Sequence, residues 1–216
     1  MKQYRFNILL VMLLLLLLFY PFLDHFKLTG LTLLLNVFTS LVLLSSVYAV
    51  GENRRQVVLA LAIIIPALML GWANEFFQVR TIRVASDIVV VVAFGFVIFH
   101  ILGYALRSGR VDVEKVAAAV CVYLLIGVAW HDLYAIVDTL IPGSFNSALL
   151  TKSDFVYFSF ITLSTLGYGD ITPINGPAQA LAYTEALVGQ LYLTILVARL
   201  VGLHIAYTGP ECSDDV

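Results

Sequence analysis

Between two long apolar runs of this chain lies one that is too short to cross a bilayer. Positions 153–165 hold about 13 residues, where a spanning helix needs roughly 20, and Ser153-Asp154 reads as a helix start, with a hydroxyl or carboxylate able to cap free N–H groups. The run ends in Thr165-Leu166-Gly167-Tyr168-Gly169-Asp170. A helix that stops at membrane depth leaves irregular backbone there, which is tolerated only where it is buried in protein or lines a water-filled cavity. Two glycines two apart open φ values closed to other residues, so the run can aim successive carbonyl oxygens in one direction. A row of carbonyls with a threonine hydroxyl can stand in for the water shell of a dehydrated cation.

The rest of the chain supplies a membrane around that loop. It is 61% hydrophobic and 12% charged over 216 residues, with mean hydropathy +0.98, against about 25% charged residues in ordinary soluble domains. Apolar segments fall at about 6–23, 28–50, 56–72, 81–106, 113–140 and 177–207. Pro21 marks the end of the first, Pro66 lies inside the third, and Asn74-Glu75 separates the third from the fourth. Lys2 and Arg5 before an apolar run resemble a signal peptide, but no small-residue cleavage site follows, so a retained first helix is expected. The fold class expected is all-α transmembrane, with six spanning helices plus a re-entrant helix and its loop.

Orientation follows from charge. With both termini cytoplasmic, Lys2, Arg5, Arg54, Arg55, Arg107, Arg110, Lys115 and Arg199 lie inside, and Lys27, Arg80, Arg83 and Lys152 outside. Eight against four agrees with the positive-inside tendency. This places Asp170 near the outer face. No basic run exceeds Arg54-Arg55, so no nucleic-acid partner is indicated. Cys121 and Cys212, in an apolar helix and a polar tail, form no disulfide framework.

With Leu166 where Val is commoner, the hexapeptide resembles the selectivity filter of the tetrameric potassium channel superfamily. The resemblance covers about residues 113–207. It implies a pore domain of outer helix, pore helix, filter and inner helix, preceded by a four-helix membrane domain at 1–107 and followed by a short cytoplasmic tail at 208–216. It implies a homotetramer in a lipid bilayer, with K⁺ as transported ion, no cofactor and no enzymatic activity. K⁺ would be held by Thr165, Leu166, Gly167 and Tyr168, Gly169 would turn the chain outward, and Asp170 would sit at the outer mouth. Ser164 and the aromatics Tyr157 and Phe158 would support the filter, the last two as a cuff or, on the plainer reading, as interface aromatics. Ile161 stands where some family members place a carboxylate that braces the mouth. Gly189 matches the inner-helix hinge, although a small residue also serves close packing. On the hinge reading Gln190, Leu193 and Val197 line the cavity.

Other polar residues are read from their positions alone. Glu185, a carboxylate inside an apolar helix, must face protein or water and is either a structural acid or a pH-sensitive site. His131, Asp132 and Asp138 are expected to pair within the pore unit. Arg199 and His204 are snorkelling anchors or part of an inner gate. Arg83 and Asp87, four apart on one helix, are expected to pair. The fourth segment carries Arg80 and Arg83 and then serine and aspartate. Two such charges move at most ~5 kcal/mol per 100 mV, so steep voltage dependence is not expected. The tail is expected to be too short for a cytoplasmic ligand-binding domain, and a separate regulatory subunit, though not excluded, is not indicated. Compactness points to a prokaryotic plasma membrane. A non-selective cation channel, a K⁺-uptake subunit and a non-conducting regulatory subunit are the alternatives.

Overall fold

The computed structural model describes residues 5–25, 29–51, 54–77, 79–109, 112–147 and 150–208. Expectations that fall on 26–28, 52–53, 78, 110–111 and 209–216, the tail with Cys212 among them, lie outside the described residues, as does the side chain of His204.

The described residues form helices α1 (Arg5–His25), α2 (Thr29–Val50), α3 (Arg54–Phe77), α4 (Arg80–Ala105), α5 (Val113–Leu140), α6 (Lys152–Leu163) and α7 (Gly176–Thr208). Among them no strand forms beyond one isolated bridge, Phe145 to Pro173. Among the described residues four helices, α3, α4, α5 and α7, are long and apolar enough to cross a membrane. At 12 residues α6 spans only about 18 Å, against a hydrocarbon core of about 30 Å.

Local chemistry sets the helix ends. Asp112 caps α5, its carboxylate accepting from the Lys115 amide at 2.9 Å. Helix α6 begins with a capping box: the Asp154 amide donates to Thr151 Oγ1 at 3.3 Å, and the Thr151 amide donates to Asp154 Oδ2 at 2.8 Å. The start expected at Ser153-Asp154 thus shifts by two residues, because Thr151 has the acid three positions on. Before α7, Asn175 Oδ1 accepts from the Ala178 amide at 3.0 Å.

Two further expectations change. Helix α1 runs past Pro21 to His25. Helix α3 continues to Phe77 and carries Glu75 with it, and Glu75 accepts from Asn36 Nδ2 at 3.0 Å. The acid expected in a connecting loop is therefore an interhelical bond between α2 and α3.

Helix α5 is the axis of the packing. Ala117, Ala118, Ala119 and Ala129 are buried and let neighbouring helices approach closely. A Cβ at Gly127 would lie 2.7 Å from the Phe160 ring of α6. One apolar core runs from Phe6 and Leu9 of α1 through Phe94 of α4 and Leu125 of α5 to Leu163 of α6. A second cluster, Tyr134, Phe145, Phe155 and Phe158, closes the end where the loops meet. Tyr134 and Phe158 pack ring to ring at 4.9 Å.

Charged groups tie the first four helices to the rest. Lys152, the first residue of α6, places Nζ 2.9 Å from Asp87 Oδ1 of α4. Arg83 is exposed, and the expected Arg83–Asp87 pair gives way to this longer-range one. Arg80 donates instead to the Leu140 carbonyl that ends α5, at 3.2 Å. His131 and Asp132, 3.3 Å apart, face the same side of α5 as Asp87. Together with Asn74, Ser86 and Lys152 they line a cavity of about 70 Å³, which has room for a few water molecules. Asp138 accepts from the Ser144 backbone amide. Cys121 is buried, its thiol directed to the Phe6 carbonyl at 3.5 Å.

Candidate functional site

The end of α6 builds the base of the loop. The Thr165 amide donates to the Thr162 carbonyl at 2.9 Å, and the Leu166 amide to the Ile161 carbonyl at 2.9 Å. This pair of bonds is a Schellman motif, whose pivot residue takes the left-handed conformation and is usually glycine. Here the pivot is Thr165, at φ 59°. A β-branched residue at positive φ is strained, on the order of 1–3 kcal/mol, and such strain concentrates at functional sites. The Thr165 hydroxyl donates to the Ser164 carbonyl at 2.7 Å, and Ser164 Oγ in turn donates to Phe160 O at 2.6 Å.

Left-handed φ then recurs at every second residue: 59° at Thr165, 54° at Gly167 and 80° at Gly169. Leu166 and Tyr168 between them are not at positive φ. A regular strand turns successive carbonyls to opposite sides, whereas alternation in the sign of φ can turn them to one side. Leu166 and Tyr168 stand 55% and 68% exposed in the single chain.

The C-terminal limb of the loop is clamped by residues that the sequence did not single out. Asn146, in the loop before α6, uses both ends of its amide. Its Nδ2 donates to the Asp170 carbonyl at 2.9 Å, and its Oδ1 accepts from the Thr172 amide at 3.0 Å. The Ile174 amide donates to Ser144 O at 2.8 Å, and Asn175 Nδ2 to Ser144 Oγ at 2.7 Å. Clusters of Ser and Asn beside Gly143 and Gly176 are the turn chemistry that could have flagged these positions. Their partners, some thirty residues apart, could not be read from either stretch.

Tyr157 and Phe158 take different roads. Tyr157 Oη donates to Asp170 Oδ2 at 2.7 Å. That bond is the main cause holding the Asp170 carboxyl below its usual range, and it is also the first cause pushing the Tyr157 phenol up to about 12. Phe158 is buried against Tyr134 and Phe145 instead. Ile161 supplies no brace by side chain, but its carbonyl receives the Leu166 and Gly167 amides.

Helix α7 packs behind and beneath. Glu185 is fully buried and joins three helices, accepting from Tyr134 Oη of α5 and lying 2.5 Å from Ser159 Oγ of α6. Ser159 Oγ also lies 2.8 Å from the Gly127 carbonyl of α5. At Gly189 a Cβ would fall 2.3 Å from the Leu163 carbonyl, so this glycine is where α7 touches the end of α6. The next residue, Gln190, places Nε2 3.2 Å from Thr165 Oγ1. Leu193 and Val197 are exposed further down the helix, and Arg199 reaches the Leu106 carbonyl at the end of α4, at 3.4 Å. Among the described residues no group of three or more His, Cys, Asp or Glu could hold a metal ion.

A short apolar helix between two membrane-length helices, ending in a loop of alternating φ sign and seated on the second of them, is the arrangement of a pore-loop channel subunit. The chain belongs to the ion channel family: the family model described as "Ion channel" matches residues 88–204, just over half of the 216. Curated relatives agree with the potassium channel superfamily that the hexapeptide resembles. Two pore potassium channel c of Oryza sativa subsp. japonica is 33% identical over 82 residues, 37% of this chain and 16% of that protein. Two pore potassium channel a of the same organism is 31% identical over 94 residues, 44% of this chain and 25% of that protein. Protein LctB of Bacillus caldotenax is 36% identical over 81 residues, 37% of this chain and 57% of that protein. The match thus spans less than two thirds of each relative. No solved structure matches the chain significantly.

Proposed function

We propose that the chain is one subunit of a homotetrameric, K⁺-selective channel that conducts passively across a plasma membrane. On this reading α1 to α5 and α7 span the bilayer, both termini are cytoplasmic, α6 re-enters from the outside, and residues 113–207 form the pore unit. The carbonyls of Thr165, Leu166, Gly167 and Tyr168 replace the water shell of the ion, and the Thr165 hydroxyl completes the innermost site. Gly169 turns the chain outward to Asp170 at the mouth, and Leu193 and Val197 line the cavity below. Gly189 serves as the seat of the inner helix on α6 and as its point of bending.

The observation that carries the reading is the loop itself. Left-handed φ at Thr165, Gly167 and Gly169 supports a run of carbonyls turned to one side, in a segment that a 12-residue helix leaves at membrane depth. A single chain carries one such loop and cannot encircle an ion, which supports assembly of four. Proteoliposomes of the purified chain, loaded with K⁺ or Na⁺, test this: K⁺ flux should exceed Na⁺ flux at least tenfold. Leu166 favours a second reading, a non-selective cation channel, because a larger side chain than Val stands in the layer that sets filter width. Equal fluxes would establish that one instead.

A further inference from the structure

We propose that Gln190 is a positioning residue for the innermost ion site, acting through the hydroxyl of Thr165. The inference rests on the channel reading above. A hydroxyl serves as an ion ligand only if its oxygen faces the ion and its hydrogen goes elsewhere. In this chain the Thr165 hydrogen is committed to the Ser164 carbonyl at 2.7 Å. Thr165 Oγ1 can therefore only accept from Gln190, which assigns the amide nitrogen, and not the amide oxygen, to the 3.2 Å contact. The two bonds fix the hydroxyl rotor. They use its hydrogen and one lone pair, and they leave the second lone pair for an ion.

The backbone explains why Gln190 reaches so far. Gly189 lets α7 close on the end of α6, where a Cβ would lie 2.3 Å from Leu163 O. Gln190 is the next residue and is exposed. Its own carbonyl accepts from Thr194 Oγ1 at 2.8 Å. With Nε2 engaged on Thr165, the amide oxygen of Gln190 is the acceptor left over. In a four-fold assembly, four such oxygens ring the cavity immediately beneath the filter. They are neutral dipoles, which assist the dehydration of an entering cation without trapping it as carboxylates would. Gln190 thus contributes twice to one site, once by orienting a ligand and once by adding acceptors below it.

The test uses the full chain in planar bilayers, with Ba²⁺ applied from the cavity side as a divalent ion of K⁺ size. Gln190→Met keeps the length of the side chain and removes donor and acceptor. Ba²⁺ block should weaken about threefold to tenfold, the range that a neutral hydrogen bond is worth. In the Thr165→Ala background the orienting part should vanish, so that Gln190→Met has a smaller effect there than in the wild type. A purely structural role for Gln190 would leave block unchanged while lowering tetramer stability. Block equal to wild type in Gln190→Met, or an effect undiminished by Thr165→Ala, overturns the proposal. If Gln190→Met does not assemble, Gln190→Asn, whose amide falls one carbon short, carries the same expectation. A wild type that conducts without preferring K⁺ overturns the function proposed above, while the block comparison still decides on Gln190. A wild type that does not conduct overturns both.

Discussion

Tyr157 gives its hydroxyl hydrogen to Asp170 Oδ2, and the bond holds the carboxyl below its usual range. The phenol, pushed up to about 12, keeps that hydrogen at all physiological pH. A carboxylate with a lowered native pKa contributes above its ordinary range, and the contribution is lost as pH falls through the lowered value. Tyr157→Phe removes the donor, so protonation of Asp170 should set in at higher pH. Current recorded against external pH checks this: the acidic limb of Tyr157→Phe should lie above that of the wild type, and coincident limbs would count against the bond. Glu185 makes the second residue-scale case. Ser159 has one hydroxyl hydrogen and two acceptors within reach, Glu185 Oε1 and the Gly127 carbonyl. Glu185→Gln brings an amide hydrogen to that set and should keep the thermal stability of the purified protein near wild type. Glu185→Ala strands the buried hydroxyl of Tyr134, at about 1–3 kcal/mol, while Ser159 keeps the Gly127 carbonyl, and should lower the melting temperature.

At the scale of elements, α6 is held at both ends by parts distant in sequence. Its first residue, Lys152, reaches Asp87 of α4, and its last turn meets Gly189 of α7. Lys152→Met leaves the buried Asp87 without its cation. This should cost on the order of 2–3 kcal/mol, with the lower figure favoured because the Lys152 side chain is 44% exposed. Asp87→Asn in the same background should recover part of the loss, and chemical denaturation of the single and double variants measures both. What was legible beforehand is what is local. Helix α5 occupies the very residues that its apolar run marks, 113–140, and the shortness of α6 and its closing hexapeptide are visible without a structure. The Thr151–Asp154 box was legible in principle through its spacing of three, yet Ser153 offered an equally good hydroxyl. The Lys152–Asp87 pair, the Asn146 clamp and the seat of Glu185 depend on which helices become neighbours, and no periodicity within one segment carries that.

At the scale of the whole molecule, a single apolar core links the four leading helices to the helices that carry the loop. The fourth helix meets the start of α6 through Asp87, and its Arg80 is spent on the Leu140 carbonyl. The loop, with Leu166 and Tyr168 exposed, and the row Leu187, Leu191 and Ile195 of α7, each more than half exposed, leave apolar surface open on the single chain, which the tetramer proposed above would cover. On the function proposed above, the loop at 165–170 selects K⁺. The most direct measurement is the reversal potential of the purified chain in a planar bilayer with K⁺ on one side and Na⁺ on the other. The reversal should be displaced from zero by more than about 59 mV toward the K⁺ equilibrium potential, which corresponds to a permeability ratio above about tenfold for a monovalent ion. A reversal at zero would contradict it.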